Sequence, residues 1–226
     1  MRASLRSVFL VLMVFACVGA AGAAPRVFTL TSGKTVEGEV VFVSRDEVIV
    51  NGTVVNQVFY LPLNQFTLAD QTALVQWGRA KMARWANVVI QFSSGNRTDR
   101  IRTDSTHYTK TYLVGKMAIQ NRSPQPLPLV RAVMSVDFET NKNAETSSMP
   151  PSQDTRFARS FGSLAVGRSH EEEVFKLQVK EKVELAKAYS ATKQNLSKKE
   201  EAEREIAMLR VSVYVGPELI WHQRVK

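Results

Sequence analysis

The three histidines, at 107, 170 and 222, are the side chains of this 226-residue chain suited to moving a proton near neutral pH. None stands in an H-E-x-x-H arrangement, and no two have the spacing that puts a pair of ligands on one helix face. His170 runs into Glu171-Glu172-Glu173, a donor set that could hold a cation, although a solvated strand entry explains the same run without one. Serine, aspartate and histidine occur without a G-x-S-x-G elbow, and neither a P-loop nor a dinucleotide fingerprint is present. The expectation is therefore a non-catalytic chain with no cofactor and no metal. A hydrolase whose site assembles in space between two domains is a rival reading.

Cys17, the single cysteine, has a different kind of chemistry open to it. Arg2 and Arg6 precede an apolar run, VFLVLMVF, and a run of small residues, GAAGAA, follows at 19–24. That order is a secretory signal peptide over residues 1–23, with Ala21-Gly22-Ala23 as the cleavage site. The apolar run is too short for the ~20 residues that span a bilayer. Val14-Phe15-Ala16-Cys17 also approaches a bacterial lipoprotein box, so lipidation of Cys17 stands as a second reading beside plain cleavage. Either way the protein is expected to be exported, periplasmic or extracellular. Cleavage after Ala23 removes the cysteine, and the fold must then rest on its hydrophobic core without disulfides.

Charge supplies the one regional anomaly. The chain carries a formal net charge of +9, and residues 79–131 hold ten Lys/Arg against two Asp, a surplus of eight. Within that segment Arg84, Arg97, Arg100, Arg102 and Lys110 are the candidate contacts for an anionic glycan or lipid. Arg100 and Arg102 would share one strand face. The plainer account has these cations scattered over both faces of two or three strands.

The elements that must position these residues are mostly strands. Residues 26–31, 35–44, 47–50 and 53–63 alternate or cluster apolar residues between polar breaks, with Ser32-Gly33-Lys34 and Asn51-Gly52 as turns. Pro62 belongs at a strand end. Thr67 and Asp70 then form a helix-opening pair, and Leu68, Leu74, Val75 and Trp77 give that helix an apolar side. Residues 79–86 extend the helix or link two domains, and Trp77 and Trp85 are placed to pack between them. Beyond, strands are expected at 88–92, 108–121, 130–138, 156–166, 172–185, 206–215 and 218–225. A turn is expected at 93–96, an exposed loop at 141–155, and a charged loop or short helix at 190–205. Val130, Ala132, Met134, Val136 and Phe138 make the clearest period-two face. About seven strands without a cysteine pair indicate an immunoglobulin- or fibronectin-like β-sandwich over residues 87–226.

The succession Arg26, Thr31-Ser32-Gly33-Lys34, Val36-Glu37-Gly38-Glu39-Val40-Val41, Leu61-Pro62-Leu63 and Leu68-Ala69-Asp70-Gln71 resembles a known module. It is similar to the Sla-type Src-homology-3-like barrel, first named in a yeast endocytic adaptor and found also in exported bacterial proteins. The resemblance covers residues 25–78 and implies a small barrel with a short helix and a peptide-binding class of function. The segment Asn121-Arg122-Ser123 to Pro126-Leu127, with the alternating strand after it, resembles the domain that accompanies such barrels in those proteins.

These readings combine into one expectation. The chain is an exported, non-catalytic binding or scaffolding protein, mainly β, that recognises a protein or peptide in the cell envelope. An anionic polysaccharide or lipid held by the basic segment is the alternative partner. Nucleic acid is not expected.

Overall fold

The computed structural model describes residues 25–54, 57–103, 106–142, 155–185 and 199–225. Residues 1–23 and Cys17 lie outside them, as do most of the loop expected at 141–155 and residues 190–198 of the charged segment. The chain is mainly β, with two antiparallel sheets and a single α-helix among the described residues. It divides into two units, residues 1–78 and 79–226.

Unit 1 is a four-stranded meander of β1 (Arg26–Thr29), β2 (Thr35–Val43), β3 (Glu47–Gly52) and β4 (Val58–Pro62). Gly33 makes the first turn with φ of 79°, a conformation that costs glycine little. In β2 the alternation Val36, Gly38, Val40 faces inward until a bulge at Val41 leaves both Phe42 and Val43 buried. The core gathers Phe28, Val48, Val50 and Phe66, with Phe28 set edge-on to Phe66 at 5.6 Å. A 3₁₀ turn (Leu63–Gln65) leads into α1 (Leu68–Ala83). Thr67 caps the helix: its hydroxyl accepts the Asp70 N–H at 3.2 Å and donates to the Asp70 carboxylate at 2.7 Å. Gly78 lets the helix reach β2, since a Cβ there would stand 2.9 Å from Cβ of Val43.

Two local expectations change here, and one open alternative is decided. Asn51-Gly52 is not the hairpin turn. Gly52 pairs with Gly38 across the sheet, and the reversal falls after it, closed by Gly52 N–H donating to the Gln57 carbonyl at 2.8 Å. Glycine facing glycine lets β3 keep its partner for two more residues. Leu68 does not join the apolar helix side but is 79% exposed, because the capped first turn stands clear of the sheet. The helix runs through to Ala83, so residues 79–83 extend it.

Unit 2 contains β5 (Val88–Arg102), β6 (Thr106–Asn121), β7 (Leu127–Lys142), β8 (Thr155–Leu164), β9 (Ser169–Leu185), β10 (Lys199–Val215) and β11 (Glu218–Val225). They form one antiparallel sheet in the order β5-β6-β9-β10-β7-β8, with β11 added to β10. Long β10 changes partner along its length. Residues 199–203 pair with β9, and residues 209–215 pair with β11, while β7 accompanies it nearly throughout. A single cluster draws Met117 and Ile119 of β6 and Leu177 of β9 together with Val130, Met134 and Val211 of β7 and β10. Each side chain buried this completely contributes about 1.5–3 kcal/mol before chain entropy is charged against it.

Here too a turn signal is overridden. Residues 93–96 lie inside β5, which pairs with β6 in unbroken register from Val88 to Arg102. Gly95 is not in a left-handed conformation, and a partner strand of equal length holds it extended. Residues 199–205, expected in a loop or helix, are strand for the same reason, 199–203 pairing with β9 and 203–205 with β7. Trp77 packs on the core of unit 1 and Trp85 on the core of unit 2, each serving its own unit.

Candidate functional site

The sequence-derived cations do not form one cluster. Arg84 donates to the Glu218 carboxylate at 2.7 Å, and Lys81 sits 3.8 Å from the same oxygen. Arg97 lies 3.3 Å from Glu173 and 3.7 Å from Asp99. Lys110 meets the buried Glu181 at 3.2 Å. Arg97 and Lys110 share one face of the β5–β6 hairpin, whereas Arg100 and Arg102 share the other, exposed and in no ion pair among the described residues. Strand alternation thus splits the segment, and acids from β9 and β11 offset three of its five candidate cations. Composition alone could not show that pairing.

The acidic run after His170 is divided by the same alternation. Glu172 accepts from Arg159 at 2.8 Å, and His170 lies 3.4 Å from Glu172 with its ring edge-on to Phe161. The hydrogen bond from Arg159 holds the Glu172 carboxyl below the usual glutamate range, against a smaller opposing effect of burial. Glu173 points to the opposite face, toward Arg97. No group of three metal-capable side chains converges among the described residues. His222 shares a hydrogen bond of 2.9 Å with Ser212, whose hydroxyl is buried in the sheet between β7 and β11.

An apolar recess suited to a ligand side chain lies in unit 1. Between the β1–β2 hairpin and α1 runs an apolar groove with ≈ 100 Å³ of accessible space. Phe28, Val40 and Leu74 form its floor, all buried. Trp77 and Ala73 come from successive turns of α1, and Arg26 and Asp70 are the charged residues of its lining. Gly38 is part of the floor because no side chain fits there: a Cβ would stand 2.2 Å from the Asn51 carbonyl oxygen. The Thr67 hydroxyl fixes the Asp70 carboxylate at the helix start.

The dimensions select among ligands. The space exceeds by several-fold the ~10–15 Å³ that one water needs, yet falls well below the roughly 300–1,000 Å³ of small-molecule pockets. It suits one apolar side chain carried on a longer partner. Arg26 and Asp70 add one base and one acid beside the apolar floor. No single motif marks this groove.

The chain matches no protein-family model, no curated protein and no solved structure.

Proposed function

We propose that this protein is an exported, non-catalytic binding module that holds an extended peptide or protein segment in the cell envelope. Unit 1 serves as a Sla-type Src-homology-3-like barrel and unit 2 as an immunoglobulin- or fibronectin-like sandwich. The barrel reading is supported by the four-stranded meander closed by a capped helix. A core shared by the β5-β6-β9 and β7-β8-β10-β11 sets supports the sandwich. Export rests on the leader-like order of residues 1–23.

One observation carries the functional reading: an apolar groove sized for a single side chain, with Trp77 on one wall and Arg26 and Asp70 lining it. Aromatic residues beside a shallow apolar floor take extended peptides at low entropic cost, because few torsions are fixed. Selection of a random peptide library on the chain is the test. Recovered peptides should share one aliphatic, aromatic or proline residue, and Ala73→Arg should abolish their capture. Ala73 is exposed, so this variant fills the groove without touching the core. Capture unaffected by Ala73→Arg would refute the reading.

A further inference from the structure

Strand β5 ends the seven-stranded sheet, and among the described residues β6 is the one strand that pairs with it. Its outer edge therefore presents a row of backbone N–H and C=O groups over 15 residues. The other terminal strand in the sheet order, β8, packs side chains against β9: Phe157 stacks on Phe175 at 5.4 Å, and Arg159 bonds to Glu172. From Ser93 to Arg102, by contrast, β5 is exposed on both faces apart from the half-buried Asp99. A recess of ≈ 370 Å³ opens beside this stretch, lined by Ser93, Ser94, Asn96, Arg97, Lys116 and Glu173 among others.

Charge selects the occupant. Arg100 and Arg102 sit two residues apart on one face, roughly 6.6–6.8 Å along the strand. No ion pair engages either among the described residues, whereas Arg97 on the opposite face already has Glu173 and Asp99. A strand laid against this edge would bring its alternate side chains opposite Arg100 and Arg102. Carboxylates at those positions make opposite-charge cross-strand pairs, the favourable combination in a sheet.

We propose that the β5 edge is a second binding surface, which takes an extended acidic polypeptide strand by β-strand addition with carboxylates at alternate positions. The surface is separate from the unit 1 groove, and its test does not depend on that groove. Basic residues on an edge also serve to block self-pairing. A purely blocking edge would bind no acidic strand, so the two roles separate experimentally.

The probe is a fluorescein-labelled ten-residue peptide of alternating Thr and Glu, titrated with the full chain and followed by anisotropy. Two further versions carry N-methyl groups on all Glu amides or on all Thr amides. A strand presents only one of these sets to its neighbour. One methylated version should therefore lose affinity by about tenfold or more while the other binds nearly as the parent does. Arg100→Glu with Arg102→Glu should weaken the parent peptide by about tenfold as well. The methylated pair needs no protein variant, so misfolding cannot obscure the result. Absence of binding, equal behaviour of the two methylated peptides, or equally tight competing binding of a sulfated polysaccharide or anionic vesicle would overturn the proposal.

Discussion

Asn121 is fully buried at the end of β6, and replacing it is a severe test of unit 2. Its amide nitrogen donates to the Gln125 carbonyl at 2.9 Å and to the Leu164 carbonyl at 3.0 Å. Its side-chain oxygen accepts from the Ser123 N–H at 3.0 Å and the Ser123 hydroxyl at 2.6 Å. One side chain thus binds the β6–β7 connection to the end of β8. Alanine deletes all four bonds. The Ser123 and Gln125 groups reach water and are partly compensated, so each of those bonds costs the low end of about 0.5–1.5 kcal/mol. The Leu164 carbonyl belongs to a buried residue and is left unsatisfied, at about 1–3 kcal/mol. Asn121→Ala should therefore cost about 2.5–4.5 kcal/mol, a large part of a typical domain's stability. Asn121→Asp keeps the acceptor but turns a carboxylate oxygen toward two carbonyls, so it should be worse than alanine at pH 7 and should recover as acid protonates it. Urea unfolding followed by far-ultraviolet circular dichroism gives both values. An alanine variant within about 1 kcal/mol of the parent, or an aspartate variant at least as stable as alanine at pH 7, would refute the reasoning.

Two further outcomes follow from the packing and the charges of the same unit. Gly115→Ala would put a Cβ 2.2 Å from the Phe175 ring, which lies flat across this position and stacks on Phe157. Overpacking of about 1–3 kcal/mol should outweigh the ~0.4–1 kcal/mol that alanine recovers through the unfolded chain. Adding Phe175→Leu should restore part of the loss, and strictly additive urea-unfolding energies in the double-mutant cycle would contradict the contact. Because Arg159 holds the Glu172 pKa down in the folded state, the stability from this pair is present above the ordinary glutamate value, about 4.3. It is lost as pH falls through the lowered folded value. The stability gap between the parent and Arg159→Met should accordingly be larger at pH 7 than at pH 3, and a gap independent of pH in parallel urea titrations would count against the pairing.

How far the residues announced this structure varies with the kind of signal. The helix start was legible because Thr67 and Asp70 act over three residues, and both bonds are present. The inward face of β7 was legible because Val130, Ala132, Met134 and Val136 keep period two, the irregularity after Val130 placing its extra residue on β8, and all four are buried. Turns were less so. Asn51-Gly52 and residues 93–96 have turn chemistry, but each lies opposite a partner strand that continues, and ladder pairing overrides a local preference for bending. The fate of the basic segment was not legible, since the acids that meet it, Glu173, Glu181 and Glu218, come from strands more than 70 residues further on. The groove escaped sequence reading for a similar reason. It is lined by residues from two strands and a helix, Phe28, Val40, Ala73 and Trp77 among them, that meet only in the fold.

The central claim, that the unit 1 groove receives a peptide side chain, is tested most directly by titrating isotope-labelled protein with a library-selected peptide and following amide and methyl resonances. The account predicts that saturable shifts concentrate on Val40, Ala73, Leu74 and the Trp77 indole, and that they vanish in Ala73→Arg. Shifts that leave these residues still, with a bound peptide mapping elsewhere in unit 1, would contradict it.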